Sequence, residues 1–229
     1  MYTEDSIKSG QILLIDKPLT WSSFQAVNKI KWAIKKKFGL KKIKVGHAGT
    51  LDPLATGLLI ICTGKFTKKI PELQGQIKEY TGTITLGASR PSYDMETEID
   101  AVFPTEHISE EKIQNATKTF LGEIDQYPPV FSALKKDGKR LYEFAREGVE
   151  VEIKSRKITI ETFEITAINM PEVEFRVVCS KGTYIRSLAH DFGKALQSGA
   201  YLSALRRTKI GDFNVSNAIT PDAFAEELE

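Results

Sequence analysis

The chain has 229 residues, 41% of them from the set AVILMFWYC, with 32 Lys and Arg against 30 Asp and Glu. A chain of this size buries roughly 70% of its extended surface on folding, so it has a core without staples, and its composition excludes disorder and low-complexity assembly. Two cysteines, Cys62 and Cys179, are too few for a disulfide framework and stand among apolar neighbours, as buried thiols do in a reducing compartment.

The first ten residues are polar and carry no apolar core of a signal peptide, and the longest strongly apolar stretch, residues 58–62, is far short of a membrane span. The expectation is a soluble, cytoplasmic protein. Residues 11–15 are an apolar run that ends at Asp16-Lys17-Pro18, where the proline stops a strand. Ser22 with Gln25 three residues on reads as a helix N-cap with its capping box. Phe24, Val27, Ile30, Ile34 and Phe38 follow at helical spacing, and Gly39 closes the helix. A loop over residues 46–57, punctuated by Gly46, Gly49, Pro53 and Gly57, feeds an apolar strand at 58–62.

Residues 78–86 alternate, with Tyr80, Gly82, Ile84 and Leu86 on one face and three threonines on the other. A helix from the Ser109 cap to Leu121 turns Ile113, Ala116 and Phe120 inward, and Tyr127-Pro128-Pro129 is a rigid extended break. Residues 131–148 are polar and basic, with a short helix over 141–147 closed by Gly148. Strands are predicted at 149–153, 157–169 and 172–179, the last with Val173, Phe175, Val177 and Cys179 on one face. Residues 182–197 read as a helix with Ile185, Leu188, Ala189, Phe192 and Leu196 spaced for burial. A last strand over 200–207 leads to an acidic tail. Helices and strands mix without regular βαβ alternation and no repeat or Pro/Gly/Ser-rich linker divides the chain, so the predicted class is α+β, one domain with a large, largely antiparallel sheet.

Charge is segregated although it nearly cancels. Residues 29–44 hold eight lysines and no acid, and residues 176–209 hold seven Lys/Arg and one acid. Residues 94–111 hold seven acids without a Lys or Arg, and residues 212–229 hold five more acids. Such a pattern can hide a basic groove for a polyanion, but on charge alone a lysine run is usually a solvated helix face.

Metal and nucleotide motifs are missing. The three histidines are far apart, and no C-x-x-C, H-E-x-x-H, Walker loop, G-x-G-x-x-G or G-x-S-x-G occurs, so no metal or cofactor is expected. The densest segment is Gly46-His47-Ala48-Gly49-Thr50-Leu51-Asp52-Pro53-Leu54-Ala55-Thr56-Gly57. Its glycines let the backbone turn sharply and let a ligand come close. Asp52 stands just before a proline, and on local physics alone a lone Asp-Pro is usually only a turn former. On the residues alone, Tyr80 reads as core, Arg186 as a surface ion pair and Tyr184 as packing.

The order of segments narrows this. Gly10-Gln11-Ile12-Leu13-Leu14-Ile15-Asp16-Lys17-Pro18, the block 46–58, Lys78-Glu79-Tyr80, Pro128-Pro129 with Ser132-Ala133-Leu134-Lys135, and Gly138-Lys139-Arg140-Leu141-Tyr142 follow one another along the chain. Ala145-Arg146-Glu147-Gly148, Cys179-Ser180-Lys181-Gly182-Thr183-Tyr184-Ile185-Arg186 and Leu205-Arg206-Arg207 complete the series. In this order the chain resembles, almost end to end, the TruB family of tRNA pseudouridine synthases, which isomerise the T-loop uridine of tRNA, conventionally number 55.

The resemblance implies the pseudouridine synthase fold, a mixed sheet flanked by helices, with residues 128–151 as an RNA-binding thumb inserted in a single catalytic domain over 1–229. It implies Asp52 as the aspartate that attacks the target nucleotide, Tyr80 as the tyrosine stacked on the uracil and Arg186 as the arginine paired with the aspartate. His47, Tyr184 and Leu205 match residues lining the flipped nucleotide or its neighbours, and Lys17 a lysine near the site. The implied partner is the T-arm stem-loop of tRNA, acted on by a monomer without an obligatory protein partner, guide or membrane. Only twenty residues follow Lys209, so a C-terminal PUA domain is not expected. The chain departs from the family at Arg90-Pro91-Ser92-Tyr93-Asp94-Met95-Glu96-Thr97, keeping Asp94 but placing Thr97 where glycine is common. Rival readings are a guide-dependent synthase of a ribonucleoprotein particle and a non-catalytic RNA-binding module.

Overall fold

The computed structural model describes residues 2–132, 134–136, 138–149 and 151–228. In chain order, α1 (Glu4–Ser9) and β1 (Ile12–Lys17) precede α2 (Ser23–Phe38), β2 (Val45–His47) and β3 (Ala55–Thr63). A 3₁₀ helix (Gly64–Lys69) runs into α3 (Ile70–Gly75), then β4 (Lys78–Leu86), β5 (Ala88–Ser89) and β6 (Ala101–Val102). Next come α4 (Glu110–Lys118), β7 (Gly122–Gln126), β8 (Lys135–Lys136), β9 (Lys139–Arg140) and α5 (Leu141–Arg146). The long strands β10 (Arg156–Asn169) and β11 (Glu172–Cys179) lead to α6 (Ile185–Ala195), β12 (Ala200–Ile210), β13 (Phe213–Asn214) and α7 (Pro221–Glu227).

The chain forms two compact units, residues 1–80 with 205–229, and residues 81–204. Both boundaries fall inside strands, β4 and β12. Among the described residues nine strands make one mixed sheet, with two small ribbons, β5–β6 and β8–β9, beside it.

In the first unit the order is β1–β3–β12, with β2 on β3 and β13 on β12. β1 and β2 run antiparallel to β3, and β12 runs parallel to it, with Leu205, Arg206 and Arg207 opposite Ala55, Thr56 and Gly57. β3 is apolar from Leu58 to Cys62 because both its faces are covered there. Leu59 and Ile61 join Ile7, Leu13, Ile15, Ile30, Ile34 and Phe224 in one core, and Leu58, Ile60 and Cys62 join Ala48, Leu73 and Ile210 in another. The α2 cap is as the sequence predicts: Ser22 and Gln25 form the capping box, and Gly39 ends the helix in left-handed backbone. Val27, Ile30 and Ile34 are buried, but Phe24 is 70% exposed, since the inward arc is completed by Ala26 and Ala33 instead. The acidic tail is the helix α7, capped by Thr220, and its Phe224 is fully buried.

In the second unit β11–β10–β7 form an antiparallel meander continued by β4 on the far side of β11. Its core centres on Phe120, Phe163, Phe175 and Phe192, whose rings meet at centroid distances of 5.3–6.3 Å in tilted or edge-to-face pairs. Val173, Phe175, Val177 and Cys179 are all buried on one face of β11, as their alternation predicts. The strand predicted at 149–153 is not found among the described residues there. The 128–151 segment carries the β8–β9 hairpin and α5; Ala133, Asp137 and Glu150 lie outside the described residues. Both cysteines are free and buried, and among the described residues no helix is long and apolar enough to cross a membrane.

Candidate active site

In the first unit the loop between β2 and β3 carries Asp52 on a scaffold of buried hydrogen bonds. Ala48 N–H donates to Ile60 C=O at 2.9 Å, extending the β2 ladder by one residue. Ser23, the buried first residue of α2, grips Leu51 twice: its Oγ accepts from Leu51 N–H at 2.8 Å and donates to Leu51 C=O at 3.0 Å. On the other side of Asp52, Pro53 C=O accepts from Thr20 N–H at 2.9 Å. The Asp52 carbonyl itself accepts from Ala55 N–H at 3.0 Å, closing the turn. Asp52 is therefore fixed on both flanks and remains half-buried.

Two buried cations brace the same loop. Lys17, at the end of β1, is fully buried, and its Nζ donates to the carbonyls of Pro18 (3.0 Å), Trp21 and Pro53 (3.5 Å). Burial pushes the Lys17 ammonium down to about 8, opposed by the Asp52 carboxylate and assisted by Arg207. Arg207 on β12 is buried and donates from Nε to Leu58 C=O at 2.8 Å and from Nη2 to Gly49 C=O at 3.1 Å. Gly57 adopts φ +100°, and a Cβ there would lie 2.3 Å from Arg207 O, so only glycine lets β3 and β12 pair this closely. Arg206 extends the brace with a two-pronged pair to Asp16, at 3.0 and 2.7 Å. Sequence reasoning missed Ser23, Asp16, Arg206 and Arg207; the Leu205-Arg206-Arg207 match pointed to the segment but not to these bonds.

His47 closes β2, and burial lowers its pKa, so it is neutral at pH 7. Leu205 stands opposite Ala55, three residues beyond Asp52. Tyr80 is buried on β4, next to Glu79, whose carbonyl accepts from Thr208 Oγ1 of β12 at 3.2 Å. Lys17, His47, Asp52, Tyr80 and Leu205 thus belong to one unit.

Arg186 and Tyr184 belong to the other. Tyr184 caps α6, with its N–H and C=O both held by the buried side-chain amide of Gln126, at 2.8 and 3.0 Å. The Arg156 guanidinium lies 4.4 Å over the Tyr184 ring centroid. Arg186, in the first turn of α6, is buried; its Nη1 donates to Ser92 C=O at 3.2 Å and its Nε lies 3.6 Å from the Asp94 carboxylate, itself buried. Thr97 closes the loop with its own side chain. Its Oγ1 accepts from Ser92 N–H at 3.1 Å, and its N–H donates to Ser92 Oγ at 3.2 Å. The Arg90 guanidinium adds a bond to Thr97 C=O and lies 4.6 Å over the Tyr201 ring centroid.

The lysine-rich segment of the first unit is concave. Lys31 and Lys35 of α2, Lys41, Lys42 and Lys44 beyond it, Lys8 of α1, and Lys65 and Lys68 of the 3₁₀ helix line a cavity of about 770 Å³. Thr63 and Gly64 tie three of these segments together: Thr63 Oγ1 donates to Ile7 C=O at 2.9 Å, and Gly64 N–H donates to Lys44 C=O at 2.9 Å. Eight ammonium groups around one hollow repel one another, and a polyanion relieves that repulsion.

Residues 35–185 match the model of the TruB family pseudouridylate synthase N-terminal domain, and residues 186–229 match the tRNA pseudouridylate synthase B C-terminal domain. The chain is 68% identical over 228 residues to tRNA pseudouridine synthase B of Flavobacterium johnsoniae, covering 99% of this chain and 100% of that protein. The chain belongs to the TruB family.

Asp52, Tyr80 and Tyr184 fall within the first matched domain and Arg186 and Leu205 within the second, while Lys17 precedes both. Another TruB-family relative, tRNA pseudouridine synthase B of Phocaeicola vulgatus, is 55% identical over 98% of this chain and 95% of its own. Among solved structures, the crystal structure of a Cbf5-Nop10-Gar1 complex is 33% identical with a TM-score of 0.67, over 92% of this chain and 51% of that one. An archaeal box H/ACA sRNP Nop10-Cbf5 complex is 28% identical with a TM-score of 0.69, over 98% of this chain and 55% of that one. The chain therefore spans about half of those longer proteins. It has the fold of pseudouridine synthases, and as a TruB-family pseudouridylate synthase it is an isomerase.

Proposed function

We propose that this chain isomerises the T-loop uridine of tRNA, position 55, to pseudouridine, as a cytoplasmic monomer that needs no guide RNA, protein partner, metal or cofactor. The observation that carries this reading is the identity, over nearly the whole chain, with relatives that bear the name tRNA pseudouridine synthase B. The target nucleotide leaves its stack, and His47, Tyr184 and Leu205 serve to bind it or its neighbours. Asp52 acts as nucleophile or base while the N1–C1′ bond breaks, the uracil turns, and C5 bonds to C1′. The proton lost from C5 is balanced by one gained at N1, so nothing is oxidised or hydrolysed. Tyr80 holds the loose uracil by stacking, and Arg186 is the partner of the aspartate, with a permanently charged fork. Lys17 adds a second cation beside Asp52, in keeping with its electrostatic coupling to that carboxylate. The 128–151 segment serves as the RNA-binding thumb of a single catalytic domain, and the lysine-lined hollow takes RNA phosphates.

The test is incubation of unmodified tRNA with wild type and Asp52→Asn. The amide is nearly isosteric but is neither base nor nucleophile, so turnover vanishes while RNA affinity stays within about tenfold. Activity above a few per cent of wild type in the variant removes Asp52 from this role.

A further inference from the structure

Arg186 is held by the residues on either side of Tyr93. Ser92 supplies the carbonyl that accepts from Nη1 at 3.2 Å, and Asp94 supplies the carboxylate 3.6 Å from Nε. Tyr93 between them has φ +63°, a left-handed conformation that costs a residue with a Cβ and needs support from its surroundings. That support is specific. Tyr93 N–H donates to Arg90 C=O and Tyr93 C=O accepts from Leu202 N–H, both at 2.9 Å. Its ring stacks on the His190 imidazole with centroids 3.8 Å apart and 12° between planes. Arg186 and His190 stand four residues apart on α6, hence on one face of the helix. The stack joins the loop that supplies both Arg186 partners to the helix face that presents the guanidinium.

We propose that the Tyr93–His190 stack is a positioning device for Arg186, setting the register between the Ser92–Asp94 loop and α6 so that the guanidinium is held at a fixed place. Burial pushes His190 down to about 4, assisted by Lys194 and opposed by Asp100, so the ring is neutral at pH 7 and adds no like charge beside Arg186. Neither Tyr93 nor His190 touches the reacting atoms; both act through Arg186. The inference rests on the reading of Arg186 as a working member of the site.

The experiment is single-turnover conversion of tRNA at saturating enzyme, with RNA affinity and cooperative unfolding measured alongside. Tyr93→Asn tolerates the left-handed backbone but removes the ring, and His190→Ala removes the partner without altering the loop. Each is expected to slow conversion about tenfold or more with RNA affinity within about twofold, while Tyr93→Phe and His190→Phe, which keep two stacked rings, stay within about threefold of wild type. In an Arg186→Lys background, Tyr93→Asn is expected to cost less than about threefold further, because residues acting through one another do not add. Undiminished conversion by Tyr93→Asn and His190→Ala beside a slow Arg186→Lys overturns the stack alone. So does a fully additive loss in the double variant, which makes the stack mere packing. A wild-type rate in Arg186→Lys by itself overturns the reading of Arg186, and this inference with it.

Discussion

Lys17 is a lysine with no solvent exposure, its ammonium donating to three backbone carbonyls. A lysine in water titrates near 10.4, and burial brings this one to about 8. Between those values the folded state binds fewer protons than the unfolded chain, so the Lys17 contribution to stability is lowest below pH 8 and improves as pH rises through that window. Its attraction to the Asp52 carboxylate runs the other way, because the cation is lost above pH 8. Conversion at saturating enzyme is therefore expected to fall as pH rises past 8 in wild type. Lys17→Met is expected to be slow throughout and to lack that descending limb. A limb that persists unchanged in Lys17→Met assigns it to another group. Arg186→Lys is expected to be far more damaging than an exposed Arg→Lys change, since a planar fork that reaches both Ser92 and Asp94 is replaced by a point donor. Near-normal single-turnover rates in that variant contradict the role.

Among the elements, the pairing of β3 with β12 has the least room to adjust. At Gly57 a methyl group would meet the carbonyl oxygen of Arg207 at 2.3 Å and its nitrogen at 2.8 Å, both backbone atoms, at φ +100°. Gly57→Ala is expected to cost about 2 kcal/mol or more in urea unfolding, the sum of strained backbone and an unrelieved clash. An unchanged unfolding midpoint means the strands can part without loss. The sequence made this strand pair half-visible. The glycines of residues 46–57 and the apolar run behind them signalled a tight loop and a buried strand, but the buried Arg207 and Ser23 that hold the loop act across long chain separations. The α2 caps and the alternation of β11 were readable because they depend on neighbours a few residues away. Phe24 was misread because helical spacing alone does not choose the inward arc. At 100° per residue it lies about 120° round the helix from Ile30, and alanines take the inward places. The helix α7 was missed although its signal is present, with Thr220 as cap and Pro221, Phe224, Ala225 and Leu228 at helical spacing, and the strand-like residues of 149–153 form no strand among the described residues.

For the whole molecule, the net charge of +2 conceals a basic hollow lined by eight lysines. If RNA phosphates occupy it, changing Lys41, Lys42, Lys65 and Lys68 together to alanine flattens the dependence of log affinity on log salt by roughly 0.7–0.9 for each phosphate no longer neutralised. Conversion at saturating enzyme stays as in wild type, because these residues lie outside the Asp52 loop. An unchanged salt slope makes the hollow a solvated face. On the proposed function the second unit supplies specificity of another kind, through Tyr184 on an unstacked base that a regular RNA helix does not offer. The central claim, isomerisation of one tRNA uridine by a carboxylate without further reagents, is tested most directly by mass spectrometry of unmodified tRNA. The prefolded transcript is incubated with the protein and a chelator, without a guide RNA, and then alkylated by a pseudouridine-selective reagent. The expected result is a single labelled nucleotide, at position 55 in the T-loop, absent with Asp52→Asn. Label elsewhere, or label that arises only when a guide RNA or divalent ion is supplied, would contradict it.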